Sequence, residues 1–508
     1  MKILSIVFGS HDDNVAMAVD RKVRYAKFER IKERKHATAG IWSSIEMCKE
    51  WNCVEFDAVA IVDLGILTRG IGVNLGVTEC FKEQNEPFIE IFRNLGIKAG
   101  SVFYLDHHYA HALSAFPIVP THQVDYGIAI DGMGRSGKRK QVMTGLASKE
   151  PEILDFSREP QFTKVMRDIG LALELTGMKY DYAGKVMGLQ SYGTVDMDVV
   201  NNWEMDKISE RPELLVHDRW GDKAFFNVNS RCFRNWLATV HHGLDIANVY
   251  YFKEKFESSS TISYSGGGVQ NTVFNQTLYE HFPNLHFTPH GYDGGLALGG
   301  LEFLRIYHDQ PEFDVAGFPF WQHDVMNGAP SDETIEKVVE LLEQGKNVGW
   351  YQGRGEVGPR ALGHRSILMD PRIREAKKIL NEKVKKREWF RPFAASILES
   401  AVGKYFEDDR PSPHMMRCVP AKEGVKEIVP SVIHVDNTCR LQTVLDDWQD
   451  PFAVLLKEWY RRTNMPMLLN TSLNFKSGPI LGDSSRALEL FDKEGIDAIC
   501  VGDEFRVK

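Results

Sequence analysis

The sequence predicts an α/β protein with a duplicated β-sheet core in its N-terminal part and a second α/β domain behind it. Three observations carry this. A pattern of apolar strand, small or acidic turn and second strand occurs twice, at Lys2–Phe28 and at Tyr126–Ala147. A strand, Thr261–Ser265, runs into Gly266-Gly267-Gly268 and then a helical stretch. A Pro-, Phe- and Gly-rich segment without clean periodicity, Pro311–Pro330, separates this region from a new helix and strand.

The elements follow in order. Lys2–Phe8 is β-rich and breaks at Gly9-Ser10-His11-Asp12-Asp13; Val15–Val19 and Val23–Phe28 are strands separated by the charged turn Asp20-Arg21-Lys22. Ile41–Trp51 has amphipathic helical spacing, and Ala58–Val62 is a strand. In the second copy, Gly127–Ile130 meets Asp131-Gly132-Met133-Gly134, then a basic turn, then the strand Gln141–Leu146. Thr163–Thr176 and Val269–His281 are helical by spacing. Ser331 caps a helix running to Gln344, and Val348–Tyr351 is a strand. The domain cut falls near residue 328, giving domains 1–327 and 328–508.

Composition narrows the function. The 508 residues allow several domains at ~100–200 residues each. Hydrophobic residues at 43% and charged residues at 26% suit a soluble globular chain. A net charge of −9 excludes a global basic field for DNA or anionic membrane, though not local basic patches. No apolar run approaches the ~20 residues of a membrane helix, and the start MKILSIVFGSHDD lacks the apolar core of a signal peptide. Seven scattered cysteines without a C-x-x-C point to a reducing cytoplasm and away from a disulfide framework or a cysteine zinc site.

Several residues could carry chemistry. His107 and His111 stand four apart in a helical stretch, so both imidazoles share a face and could bind one metal ion or be two core histidines. No Glu completes a His-Glu-x-x-His motif. Asp131 and Asp293 follow apolar strands beside glycines, where a carboxylate can approach a cation or make an Asp-Gly turn. Gly266-Gly267-Gly268 between strand and helix is a phosphate-cradle candidate, although it is neither a P-loop nor a dinucleotide fingerprint. Further on, GRGEVGPRALGHRS and KKREWFRPF gather arginines among glycines and prolines. Guanidinium forks held in such rigid frames suit phosphate or carboxylate groups.

At these residues the chain resembles the O-carbamoyltransferase family of the nodulation and antibiotic-tailoring type (NodU/CmcH). The matching stretches include GSHDDNVAMAV, DHHYAHALSAF, AIDGMG, GKVMGLQSYG, SGGGVQNTVFN, HGYDGGLALGG, GRGEVGPRALGHRSILMDPR, VKKREWFRPFAASIL and LNTSLNFKSGPI. The resemblance implies an actin/hexokinase-like (ASKHA) duplicated N-terminal domain, similar to the transferase that makes threonylcarbamoyl-adenosine in tRNA, plus a smaller YrdC-like α/β C-terminal domain. It implies two steps: carbamoyl phosphate and ATP give carbamoyl-adenylate and pyrophosphate in the C-terminal domain, and the N-terminal domain then carbamoylates an acceptor hydroxyl, releasing AMP.

Carried over by residue, the resemblance makes His107, His111, Asp131 and Asp293 ligands of a divalent metal, usually ferrous iron. It makes His11 the base for the acceptor hydroxyl, a role suited to an imidazole with a pKa near ~6.5. Lys35 would contact the acceptor or the carbamoyl oxygen. Gly266, Gly267, Gly268, Asn271 and Lys185 would bind the nucleotide. Arg354, Arg360, Arg365, Lys385, Arg391, Arg440 and Asn470 would hold ATP, with its magnesium, and carbamoyl phosphate. The implied acceptor is a small molecule with a free hydroxyl, either a sugar-containing natural product or a 5-hydroxymethyl-pyrimidine nucleotide; no membrane and no long nucleic acid are expected, and a homodimer is compatible. Gly355, Val357 and the MGLQSYG stretch depart from the family pattern and bear on pocket shape. The rival readings are a tRNA threonylcarbamoyl transferase-like enzyme, which the acidic net charge disfavours, and a non-catalytic nucleotide- or sugar-binding protein of the same fold.

Overall fold

The computed structural model describes the chain apart from residues 10, 64–74, 76–77, 85, 133–139, 158–161, 220–221, 325 and 327. The basic turn expected in the second sheet copy therefore lies outside the described residues. The chain forms two compact units. The first comprises Met1–Thr163, Lys255–Gln270 and His281–His323, and the second Lys164–Glu254, Asn271–Glu280 and Asp324–Lys508. The cut expected near 328 lies close to Asp324, but neither unit is one stretch of chain. Lys164–Glu254 groups with the C-terminal residues because it packs with them, which local sequence pattern does not encode.

The first unit holds two sheets of matching topology. In one, β1 (Lys2–Phe8), β2 (Asn14–Val19) and β3 (Lys22–Lys27) form an antiparallel meander. On the other side of β1 lie β4 (Glu55–Asp63) and β6 (Lys98–Leu105), parallel to it, with β5 (Phe81–Glu83) at the edge; the order is β3-β2-β1-β4-β6-β5. The second sheet repeats this plan. Its meander is β7 (Tyr126–Ile130), β8 (Lys140–Thr144) and β9 (Glu152–Ser157). β10 (Ile262–Ser265) runs parallel beside β7 and β11 (Leu285–Phe287) parallel beside β10, giving β11-β10-β7-β8-β9. This is the duplicated α/β core expected from the repeat.

Two helices, His107–Leu113 and Leu296–Tyr307, pack against each other and connect the sheets: the first meets β7 and the second meets β1. Gly299 permits the contact, because a Cβ there would stand 1.8 Å from the Ala110 carbonyl oxygen. The close approach brings the ends of both sheets toward one point.

The second unit is built on a mixed eight-stranded sheet. Its strands are β12 (Val348–Tyr351), β13 (Arg365–Met369), β14 (Ala394–Leu398), β15 (Cys418–Pro420), β16 (Thr438–Val444), β17 (Met467–Ser472), β18 (Ala498–Val501) and β19 (Glu504–Val507). They lie in the order β15-β16-β14-β17-β13-β12-β18-β19. Central strands β13 and β14 are buried throughout, and their Ile367, Leu368, Ile397 and Leu398 join the unit's apolar core. The helix Asp332–Glu343 begins as expected, with the Ser331 side chain accepting a hydrogen bond from the Thr334 amide.

The helix expected over Val269–His281 begins later, at Thr272, behind a 3-10 turn spanning Gly267–Gln270. Gly266 adopts φ 85° where a Cβ would meet the Ile130 carbonyl at 2.2 Å, so the chain lies flat against β7 before it turns. Asn271 then starts the helix by accepting from the Phe274 amide. Among the described residues no helix is long and apolar enough to cross a membrane.

Candidate functional site

In the first unit, the ends of β6 and β7 and one 3-10 turn contribute to one cluster. After β6, the Asp106 carboxylate accepts from the amides of His108 and Tyr109 and nucleates the helix that carries His107 and His111 on one face. Asp131 is the first residue past β7, and Asp293 opens the 3-10 turn Asp293–Gly295. The four expected residues come together: their ligand atoms all lie within 4.8 Å of one another. His107 Nε2 is 3.0 Å from Asp131 Oδ2 and 3.4 Å from Asp293 Oδ1, and His111 Nε2 is 3.2 Å from Asp293 Oδ1. Burial opposes a charge on His111, but the two carboxylates outweigh it and raise its pKa to about 9. Burial would also raise the Asp131 carboxyl; hydrogen bonds from His107 and His111 instead hold it well below the usual range.

The groups behind these side chains fix their aim. Asp131 Oδ1 accepts from the Gly132 amide at 2.7 Å and the Gly267 amide at 3.1 Å, leaving Oδ2 for the histidines. Asn14 on β2 donates to the Asp293 carbonyl at 2.9 Å and accepts from the Ala297 amide. His108 and His290 are buried beside the cluster, and desolvation lowers their pKa values to about 3 and about 4. Both are neutral imidazoles at physiological pH.

His11 stands at the rim, about a quarter exposed, with Nδ1 3.0 Å from Asp12 Oδ2 and 3.5 Å from Asp293 Oδ2. Burial disfavours its charged form, but Asp12, Asp293 and Asp131 prevail and raise its pKa to about 9. Asp12 takes the left-handed conformation, φ 56°, which folds its carboxylate back toward His11. The same Oδ2 meets His36 Nδ1 at 2.7 Å, and Lys27, paired with Glu29 at 2.6 Å, lies 3.8 Å from Oδ1. Asp12, Glu29 and His36 thus form a second imidazole–carboxylate group, with Lys27 as its internal cation. Lys35 is half buried in the turn carrying His36.

Sequence reading did not single out Asp12, Asn14, Lys27, Glu29 or His36. The available signals were the adjacency of Asp12 to His11 and of His36 to Lys35.

The glycine turn is placed differently from the phosphate-cradle expectation. The Gly266 amide donates to the Gly291 carbonyl, and the Gly267 amide to Asp131, so two of the three N–H groups serve the protein. Asn271 and Lys185, grouped with that turn by sequence, belong to the second unit. Asn271 contacts His241 Nε2 at 3.2 Å, and Lys185 donates to Glu388 at 2.6 Å and to the Thr176 carbonyl.

In the second unit the register builds a cationic pocket floor. Arg440 on β16 and Asn470 on β17 both face Ala394 on β14, so a small side chain separates the two polar ones. Asn470 is fully buried and donates to Ser396 Oγ at 2.9 Å and toward Gln442 Oε1 and the Ala361 carbonyl. Arg360, Lys385, Arg387, Arg391 and Arg440 crowd together. Burial, then Arg440 and Arg391, lowers the Arg360 pKa to about 9. Burial, then neighbouring arginines, also holds Lys385 and Arg387 well below their ordinary values. A guanidinium does not lose its proton at neutral pH, so these shifts register first the desolvation of the cations and second their mutual repulsion. Glu388 lies at the edge, 2.6 Å from Lys185 and 3.5 Å from Arg391. Arg387 and Glu388 were missed, although both lie inside the KKREWFRPF stretch.

One expected member of this group, Arg365, is committed elsewhere. Arg365 is fully buried and stacks on Tyr351 at 3.6 Å. Its five N–H donors go to Asp324 and to the carbonyls of Gln352, Gly353 and His364, so it frames the arginine-rich loop and has no donor left for an anion. Arg354 is exposed, and its carbonyl accepts from His364 Nδ1.

The duplicated β-sheet core has the actin/hexokinase-like α/β plan and carries the cluster at one end. Residues 339–508 match the family described as Carbamoyltransferase C-terminus. Nodulation protein NolO of Bradyrhizobium diazoefficiens is 29% identical over 437 residues, covering 78% of each chain. A 3′-hydroxymethylcephem-O-carbamoyltransferase of Amycolatopsis lactamdurans is 27% identical, covering 82% of this chain and 83% of the relative. An uncharacterized protein of Methanocaldococcus jannaschii is 32% identical over 67% of this chain and 68% of its own length. The chain belongs to the carbamoyltransferase family that contains the nodulation proteins and the cephem-tailoring enzyme.

Proposed function

We propose that this protein is an ATP-dependent O-carbamoyltransferase acting on the hydroxyl of a small molecule, with two half-reactions assigned to its two clusters. The observation that carries this reading is the chemical opposition of the clusters. One gathers imidazoles and carboxylates around a common point, and the other gathers five cations, of which Lys385 is buried and the four arginines are half-buried. The cations suit the charge of a nucleoside triphosphate and carbamoyl phosphate, and desolvation strengthens each charge-assisted contact.

In the first half-reaction, water converts carbamoyl phosphate to carbamate and phosphate. A carbamate oxygen attacks the α-phosphorus of ATP and pyrophosphate leaves. Arg360, Arg391 and Arg440 hold the phosphate oxygens, and Lys385, fixed by Ser472 and Asn474, supplies a further positive charge. In the second, the acceptor hydroxyl attacks the carbonyl of carbamoyl-adenylate, the C–O bond to AMP breaks, and the neutral form of His11 takes the hydroxyl proton; Asp131 and Asp293 help hold its pKa up, and a cation on those two carboxylates would lower it. His107, His111, Asp131 and Asp293 fit a divalent cation: two imidazole Nε2 atoms and two carboxylate oxygens converge, and Gly132 and Gly267 already orient Asp131. Ferrous iron is the cation this reading assigns. When bound, it supplies Lewis acidity toward the carbamoyl oxygen. The acceptor is a sugar-containing natural product or a 5-hydroxymethyl-pyrimidine nucleotide, consistent with the hydroxymethyl group in the name of the cephem relative.

The test is incubation of the purified protein with ATP, magnesium and carbamoyl phosphate, with an aminoglycoside, a chitooligosaccharide, a hydroxymethylcephem and 5-hydroxymethyl-dCMP as acceptors. Pyrophosphate release together with addition of one carbamoyl group to an acceptor is expected. No pyrophosphate from wild-type protein with any acceptor overturns the reading.

A further inference from the structure

Trp389 is 48% exposed and sits in sequence between Arg387 and Arg391, two half-buried arginines of the cation cluster. The turn that carries it explains the placement. The Arg391 amide donates to the Glu388 carbonyl at 3.2 Å, closing a tight turn with Trp389 and Phe390 at its corners. Phe390 points into the core and Trp389 points out. The turn is pinned from behind: the Arg387 amide donates to the Asn381 carbonyl, Arg387 Nε donates to Asn381 Oδ1 at 2.7 Å, and Asn381 Nδ2 donates to the Arg391 carbonyl. Trp389 is therefore held on a rigid support.

Tyr192, from the Lys164–Glu254 segment of the same unit, meets the indole edge to face with centroids 4.9 Å apart. Its hydroxyl accepts from Lys377 at 2.5 Å, which fixes the phenol ring. Lys377 in turn feels the charge of Arg387, after the larger effect of burial, so the aromatic pair and the cation cluster are neighbours. A fixed, half-exposed indole beside grouped guanidinium groups offers a π-face at one end and anion-binding donors at the other. Those are the two chemistries of a nucleoside triphosphate.

We propose that Trp389, buttressed by Tyr192, is the platform on which the base of ATP stacks while the arginine cluster holds its phosphates. This deepens the proposed function and rests on its reading of the cation cluster as the ATP site. The stacking is tolerant of base identity, because every base presents a π-face.

Magnesium ATP and inorganic tripolyphosphate separate the two ends of the site, since both carry the triphosphate and only one carries a base. Binding of each is measured by calorimetry on wild type, Trp389→Ala, Trp389→Phe and Arg360→Ala. In Trp389→Ala we expect ATP affinity to fall roughly 10- to 100-fold, to the level of tripolyphosphate, whose own affinity stays unchanged. Trp389→Phe restores most of the loss, and Arg360→Ala weakens both ligands. Trp389→Ala protein that binds ATP as tightly as wild type overturns the platform. Wild-type protein that binds neither ligand overturns the ATP reading beneath it. Because Trp389 projects from the surface, folding of the variants is checked by their melting temperatures, and Trp389→Phe keeps the test valid if the alanine variant melts early.

Discussion

Asp12 Oδ2 lies 3.0 Å from His11 Nδ1, between residues adjacent in sequence, and the left-handed backbone of Asp12 makes the contact. In the neutral imidazole that acts as base, a carboxylate at Nδ1 holds that nitrogen protonated and leaves Nε2 as the basic atom. For Asp12→Asn, we expect carbamoyl transfer to drop about 10²-fold in kcat, within the range a general base contributes. Acceptor KM, metal content and pyrophosphate release should stay near wild type. A wild-type kcat in the folded variant would show that His11 needs no such orientation.

Removing a histidine of the buried cluster should separate the half-reactions. His107→Ala and His111→Ala are expected to lose bound metal and acceptor carbamoylation while ATP-dependent pyrophosphate release continues. His11→Ala should stop transfer with metal retained, because it faces Asp12 and stands only at the rim of the four-residue cluster. Metal analysis beside the two product assays checks all three. Joint loss of both activities in folded His111→Ala protein would favour one shared active site.

A pH effect on stability is expected at His241 in the second unit. Burial lowers its pKa, but Asp245 at 3.2 Å and Asn271 more than offset this, and Asp436 adds to the rise. The folded pKa lies above the unfolded value of ~6.5. The pair's stabilisation is therefore complete below ~pH 6.5 and is lost as pH rises through the folded pKa. The melting-temperature advantage of wild type over Asp245→Asn should shrink as pH is raised from 6 to 9. An advantage independent of pH would mean that His241 carries no charge in the folded protein.

Strands and helices were legible where periodicity is local. Lys2–Phe8 and Val348–Tyr351 were read with the bounds the structure gives them. The strand-end position of Asp131 was also legible, since a carboxylate following an apolar run and preceding glycine has few other places to sit; Asp293, expected in the same kind of place, instead opens a 3-10 turn beyond the end of β11 at Phe287. What escaped was pairing over distance. Lys185 meets Glu388 across 203 residues, and the Gly267 amide serves Asp131 across 136. Nothing in either local pattern encodes such a partner. Arg365 shows the same limit from another side. Its motif is rich in arginine and glycine like that of Arg360, but it begins β13 at a fully buried position, and burial decides what its guanidinium can touch.

That difference between two arginines of one motif predicts opposite phenotypes. Arg360 belongs to the cation group, with burial first and then Arg440 and Arg391 depressing its pKa, so its charge is placed for a ligand. Arg360→Ala should shift the melting temperature little and weaken ATP or carbamoyl phosphate binding by about 1.5–3 kcal/mol. Arg365→Ala should do the reverse. It removes the guanidinium paired with the Asp324 carboxylate, which is only 10% exposed, and takes one donor from each of three backbone carbonyls. Breaking a buried pair by removing one partner costs about 3–5 kcal/mol, so this variant should unfold early. Arg365→Lys cannot reproduce the planar fork and should recover only part of the loss. Melting curves and ATP titrations on the three variants decide the matter. An Arg365→Ala protein that melts like wild type but fails to bind ATP would return Arg365 to the ligand site.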